Sequence, residues 1–184
     1  MMHGWIYKSI RAAVFAATLL ASIGAGEGDA TSNEYRLKAA FIYNFAQFTQ
    51  WPDGAFAKPD APLVIAILGK NPFGTMLDET VKGKKIGQHP VIVKLAKSAE
   101  DARDSQVLFV ATSEEDRFDD TLKALGKRPI LTIAESPRFQ PAGGMIQLLL
   151  EDDKIRFSVN PDAADVAGLK ISSKLLKLAR IYKK

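Results

Sequence analysis

Histidine, cysteine and paired acids are the residue types with which a small chain makes and breaks bonds, and here they are scarce. Cysteine is absent, and of two histidines His3 lies near the N-terminus, which leaves His89 for imidazole chemistry. One imidazole with no thiol argues against a His-centred zinc site and against a Ser-His-Asp arrangement. Asp152 and Asp153 are adjacent, and at a hairpin tip neighbouring side chains diverge, so they form neither an acid/base pair nor a metal cage. Ser172 and Ser173 have no base nearby and read as helix caps. We therefore expect no catalytic residue, no metal and no cofactor.

The polar and glycine-rich stretches suit binding better. In Leu68-Gly69-Lys70-Asn71-Pro72-Phe73-Gly74 two glycines let backbone amides approach an anion. Gly83-Lys84-Lys85 is a second such loop, but neither has the spacing of a P-loop or a dinucleotide fingerprint. A strand-to-helix turn explains the first loop equally. Gly143-Gly144 precedes a strand, where missing side chains admit a ligand or another backbone, or simply make a turn. Gly69, Asn71, Phe73, Gly143 and Gly144 are the candidate ligand-binding residues, provided that the fold gathers them around one pocket.

Those loops depend on the elements around them. The segment Glu34-Tyr35-Arg36-Leu37-Lys38-Ala39-Ala40-Phe41-Ile42-Tyr43-Asn44-Phe45-Ala46-Gln47-Phe48-Thr49-Gln50-Trp51-Pro52 reads as one aromatic-rich helix, capped by Thr31 with Glu34 three residues on and stopped at Trp51-Pro52. Leu37, Phe41, Phe45 and Phe48 form an apolar stripe at helical spacing. Tyr35, Ile42 and Ala46 lie on the other side, so two faces need cover. With Trp51 they are candidate partner-binding residues, unless a terminal helix covers them. Asn44 should be hydrogen-bonded if buried.

Residues 63–68 (LVIAIL), bounded by Pro62 and Gly69, read as a strand buried on both faces. Strands are also expected at 89–95, 107–111 and 130–133, with helices at 75–81, 98–104 and from Ser113, a cap followed by three acids, to Leu125. Residues 83–88 read as a turn. Residues 145–150 and 154–159 flank Glu151, Asp152 and Asp153 as a hairpin with a charged tip, so Glu151, Asp152, Asp153 and Lys154 offer a second partner surface. Asn160-Pro161 opens a final helical region whose second part carries Ile171, Leu175, Leu178, Ala179 and Tyr182 as an apolar stripe. Strand–helix alternation closed by a hairpin predicts an α/β three-layer sandwich with a mixed, mainly parallel sheet flanked by helices.

The N-terminus has its own pattern. Lys8 and Arg11 precede an apolar run at 12–23, too short to span a membrane, and small residues follow. This is the form of an export signal over residues 1–30, cleaved near Ala30 or Ala25, ahead of an α/β domain over 31–184. The net charge is +4, and residues 170–184 contribute six cations and no acid, leaving about −2 for 31–169. The basic tail reads as helix-dipole complement and solvated face rather than as a nucleic-acid or membrane patch.

In order, EYRLKAAFIYNFAQFTQWP, LVIAILGKNPFG, VLFVATSE, PILTIAESPRFQPAGGMIQL, IRFSVN and AGLKISSKLLKLARI resemble the YfiR family of exported regulators. The resemblance implies a periplasmic, noncatalytic repressor that binds the periplasmic portion of an inner-membrane GGDEF-type diguanylate cyclase, YfiN in the best-known case. Such binding lowers cyclic-di-GMP and with it exopolysaccharide and biofilm. The cysteines on which that member's disulfides depend have no counterpart here. A homodimer fits the reading, and nucleic acid does not. The alternative is a periplasmic small-molecule sensor or binding protein built on the glycine loops; a hydrolase would need a nucleophile–base pair that the chain does not offer.

Overall fold

The computed structural model describes residues 25–183, so residues 1–24, with the charged and apolar parts of the expected export signal, lie outside it. The chain divides into two compact units, Met1–Asn33 and Glu34–Lys184. The described residues of the first are helical. Helix α1 spans Ala25–Gln47, so Thr31 is an interior helical residue and not a cap. Glu34 turns instead to Lys38, four residues on.

Eight strands form the main sheet: β2 (Leu63–Leu68), β3 (Lys85–Ile86), β4 (His89–Ala96), β5 (Val107–Val110), β6 (Leu131–Ala134), β7 (Ile146–Glu151), β8 (Lys154–Val159) and β10 (Arg180–Ile181). Their spatial order is β10-β8-β7-β6-β5-β2-β4-β3. The run from β7 to β4 is parallel, β7–β8 and β3–β4 are antiparallel hairpins, and β10 lies parallel to β8. A separate two-stranded ladder joins β1 (Thr49–Gln50) to β9 (Lys170–Ile171). The remaining helices are α2 (Met76–Val81), α3 (Phe118–Leu125), α4 (Pro161–Val166) and α5 (Ser173–Leu176), with 3-10 turns at Glu100–Ala102 and Thr112–Arg117.

Alternation along β2 explains the three layers. Leu63, Ile65 and Ile67 enter a core shared with α1, α2, α4 and α5, whereas Ala66 and Leu68 enter a second core under α3. A strand covered on both faces can be apolar throughout, which is what its sequence implies. On the α1 side, Phe41, Phe45 and Phe157 pack within 6 Å of one another, centroid to centroid. Phe118 and Phe139 pair edge-to-face across the other core at 5.0 Å.

Several elements depart from expectation for identifiable reasons. Helix α1 stops at Gln47, short of Trp51-Pro52, because Thr49 and Gln50 are drawn into the ladder with β9; the Thr49 hydroxyl donates to the Phe45 carbonyl as the chain leaves. Asn44 is exposed and needs no buried partner. Ser113 is not the cap of α3. Its Oγ accepts from the Lys70 amide, and 3-10 geometry persists to Arg117 before α3 begins. The stretch 83–88 holds β3 besides its turn. No long terminal helix forms: Ser172 caps the four-residue α5 through the Leu175 amide, and Arg180–Ile181 then joins the sheet edge, leaving Leu178 76% exposed. Asn160 caps α4 through the Ala163 amide, with Pro161 at the first helical position, as the sequence suggests.

Candidate functional site

In an open α/β sheet, ligands enter at the carboxyl ends of the strands where successive connections leave on opposite faces. Here that switch falls between β2 and β5. Helix α2, after β2, packs into the α1-side core through Leu77 and Val81, whereas α3, after β5, packs into the other core through Phe118 and Leu125. The candidate ligand residues Gly69, Asn71 and Phe73 lie at this crevice, and the chain's own groups fill it.

Gly69, at φ +92°, runs so close to the turn after β5 that a Cβ there would sit 2.5 Å from Ser113 Oγ. The next amide, Lys70 N, donates to that same oxygen at 2.8 Å. Asn71 closes its own loop: Oδ1 accepts from Phe73 N at 2.9 Å and Nδ2 donates to the Gly74 carbonyl at 3.0 Å. Phe73 is fully buried, edge-on to Phe109 at 4.8 Å and to Tyr35 at 5.5 Å.

Gly143 and Gly144 are not brought to this crevice. They precede β7, whose register (Ile133↔Ile146) sets Gly144 level with Leu131 at the start of β6, three strands from β2. A Cβ on Gly144 would fall 2.2 Å from the Phe139 ring, so the missing side chain admits that ring and not a ligand. The five residues line no common pocket.

Beside the closed crevice lies a buried charge cluster that the sequence did not announce. Lys38, only 5% exposed, donates to both Glu34 and Glu135, and its Nζ lies 4.7 Å from the centroid of the Tyr35 ring. Tyr35 Oη donates to Glu135 Oε2 at 3.4 Å. Burial alone pushes the Lys38 amine down, but the hydrogen bonds and charges of Glu135 and Glu34 more than reverse this, and the group titrates above its usual value. Burial, then the Glu135 charge, holds the Tyr35 phenol above its usual value too. A cation spent on two carboxylates is a clasp between α1 and the end of β6; it has no proton to give at neutral pH.

The proposed partner surface on α1 is redistributed. Ile42 and Ala46 are fully buried in the core with Ala39 and Phe45, so they present nothing to a partner. Both stripes feed the core, since Phe45 is buried as fully as Ile42 and Ala46, while Leu37 is exposed. Trp51 is half-buried, its Nε1 donating to the Gln106 carbonyl at 3.2 Å and its ring edge-on to Phe56. Phe56 stacks on His89 at 3.7 Å, and His89 Nδ1 donates to the Ala61 carbonyl at 2.7 Å, so the lone imidazole pins a loop. Tyr35 lies in the middle of α1 and Trp51 beyond its C-terminal end, and about 18 Å of helix separates Tyr35 from Gln47.

At the hairpin tip, Glu151 and Lys154 pair across the turn, and Arg180 clasps Glu151 through two bonds at 2.5 and 2.6 Å. Asp152 and Asp153 are exposed and both left-handed, at φ 49° and 57°, as a two-residue hairpin turn demands. With Arg156, Phe157 and Leu178 this tip borders an open depression of about 230 Å³. Aspartate tolerates that conformation less well than Asn-Gly. Asp152→Asn with Asp153→Gly should therefore stabilise the domain by about 1 kcal/mol, read as a rise in the urea midpoint at constant m.

Among the described residues no group of three or more His, Cys, Asp or Glu gathers to hold a metal. No helix among them is long and apolar enough to cross a membrane. What remains is a three-layer α/β domain with its strand-end crevice shut. Residues 35–180 match the model of the YfiR/HmsC-like family, and the chain belongs to that family. No curated protein matches the sequence. Among solved structures it is similar to a conserved domain protein from Vibrio cholerae O1 biovar eltor, with TM-score 0.55 and 10% identity over 81% of this chain. It is also similar to an ABC domain in complex with L-Trp from Streptococcus pneumonia, with TM-score 0.51 and 11% identity over 80% of this chain. The chain spans 60% of the length of each, and likeness at that identity speaks for the fold alone.

Proposed function

We propose that this protein is a periplasmic regulator of cyclic-di-GMP signalling that binds the periplasmic portion of an inner-membrane GGDEF-type diguanylate cyclase and represses it. Membership of the YfiR/HmsC-like family across residues 35–180 is the observation that carries this reading. The closed crevice supports it: a domain whose strand ends are filled by Phe73 and sealed by Ser113 works through its outer surfaces. Repression then follows from differential affinity. Binding one conformational state of the cyclase more tightly shifts its equilibrium by the difference in binding free energy.

Two measurements test the reading together. The protein should capture a GGDEF-type cyclase from detergent-solubilised membranes, and deletion of its gene should raise cellular cyclic-di-GMP. An unchanged nucleotide level with no cyclase captured would reject the reading.

A further inference from the structure

Among the described residues, the outer side of β4 is left largely without a strand partner. β4 pairs with β2 along six residues, Val91 to Ala96, but its other side meets β3 only at His89 and Pro90. The Val91 amide still reaches the Lys84 carbonyl. Because backbone groups alternate sides along a strand, the amides and carbonyls of Val93 and Leu95 also face away from β2. Among the described residues neither finds a backbone partner there. Two residues further, Lys97 N is taken by Asp101 Oδ2 at 3.0 Å. The opening is thus bounded at both ends and two outward-facing residues long.

Its side chains are unusual for a bare edge. Leu95 is 62% exposed and Ile92 44% exposed, on opposite faces of the strand, with Lys94 between them. Bare apolar edges invite another strand, and proteins ordinarily blunt them. At the far edge β10 pairs with Ser158 and Val159 of β8, and the Arg180 side chain reaches along the rest of that strand to Glu151. Charge selects the occupant. In a two-fold antiparallel pairing of two copies, matching Val93 with Leu95 uses all four free groups but sets Lys94 against Lys94, and like charges directly opposite repel. An extended strand carrying a carboxylate opposite Lys94 meets no such cost.

We propose that the β4 edge between Val91 and Lys97 is a strand-addition site for an extended partner segment with alternating apolar and acidic side chains. This deepens the regulatory reading and rests on it: the segment belongs to the periplasmic portion of the cyclase. Val93 and Leu95 supply two donors, two acceptors and the apolar contacts on one face, and Lys94 the charge on the other.

A labelled peptide of alternating valine and glutamate is the probe, and one of alternating valine and lysine is its control. With the purified full chain, the acidic probe should slow exchange of the Val93 and Leu95 amides at least tenfold, and the lysine probe should not. Leu95→Pro should abolish the protection; that amide faces outward, so proline costs no bond to β2, and circular dichroism checks the fold. Lys94→Glu should reverse the preference between the probes. Equal protection by both probes, none by either, or protection that survives in Leu95→Pro would overturn the proposal. So would a dimer of the wild type, seen by sedimentation, that Leu95→Pro dissociates. Wild-type protein that passes the probe test but captures no cyclase sinks the regulatory reading while supporting strand addition. A cyclase captured equally by wild type and Leu95→Pro sinks the edge as its seat.

Discussion

Lys38→Met should destabilise the domain by about 3–5 kcal/mol, the usual result of removing one partner from a buried ion pair. The cost comes less from the lost lysine than from what it leaves behind. Glu34 and Glu135, mostly buried, would face each other across an apolar side chain with no cation between them. Adding Glu135→Leu should recover part of the loss, because an apolar replacement of both partners leaves no uncompensated charge there. Urea unfolding of the single and double variants measures both effects, and a Lys38→Met variant as stable as the wild type would count against the clasp.

The same cluster sets an alkaline limit. Lys38 and Tyr35 both hold their protons more tightly in the folded state than their ordinary values of 10.5 and 10.0. A raised folded-state pKa contributes stability that is complete below the unfolded value and is lost as pH climbs through the folded one. Melting temperature should therefore be insensitive to these two groups at neutral pH and fall steeply above about pH 10. In Lys38→Met the lysine's share of that fall should vanish.

Phe73→Ala should cost about 3–5 kcal/mol, the range for emptying a fully buried aromatic site. The ring plugs the strand-end crevice against Phe109 and Tyr35, so its removal does more than thin the core. It leaves a void at the place where relatives in fold class hold ligands. Such an apolar hole should stay dry and take up a small apolar guest, so benzene should raise the melting temperature of the variant and not of the wild type. A variant as stable as the wild type would mean that Phe73 is not the plug.

Much of the architecture was legible because burial leaves a pattern. The LVIAIL run declared a strand covered on both faces, and Asn160-Pro161 declared a helix start, since each signal is local. The C-terminal region misled because Ile171, Leu175, Leu178 and Tyr182 match helical spacing, while distant strands decide their fate: β1 claims Ile171 and β8 claims Ile181. The same kind of long-range pairing shortened α1 at Thr49. On α1 the spacing marked Phe45 as core, but it did not show that Ile42 and Ala46 would be buried as fully or that Leu37 would be left exposed. The clasp of Lys38 with Glu135 was invisible for a plainer reason. Nothing in the sequence marks which lysine will be enclosed, or which glutamate 97 positions away will meet it. The open window on β4 was equally hidden, since it depends on where β3 stops.

The contact of Phe45 with Phe157 and the pairing of Thr49 with Ile171 tie the opening helix to the last quarter of the chain. During synthesis, that helix finds β2 and Phe73 within a few tens of residues, but Phe45 waits for more than a hundred before Phe157 arrives. Closing so wide a loop is entropically slow, so the nascent polypeptide stays pliable for longer than one built from neighbouring contacts. For the exported protein proposed above, which would be threaded before it sets, that delay is a gain.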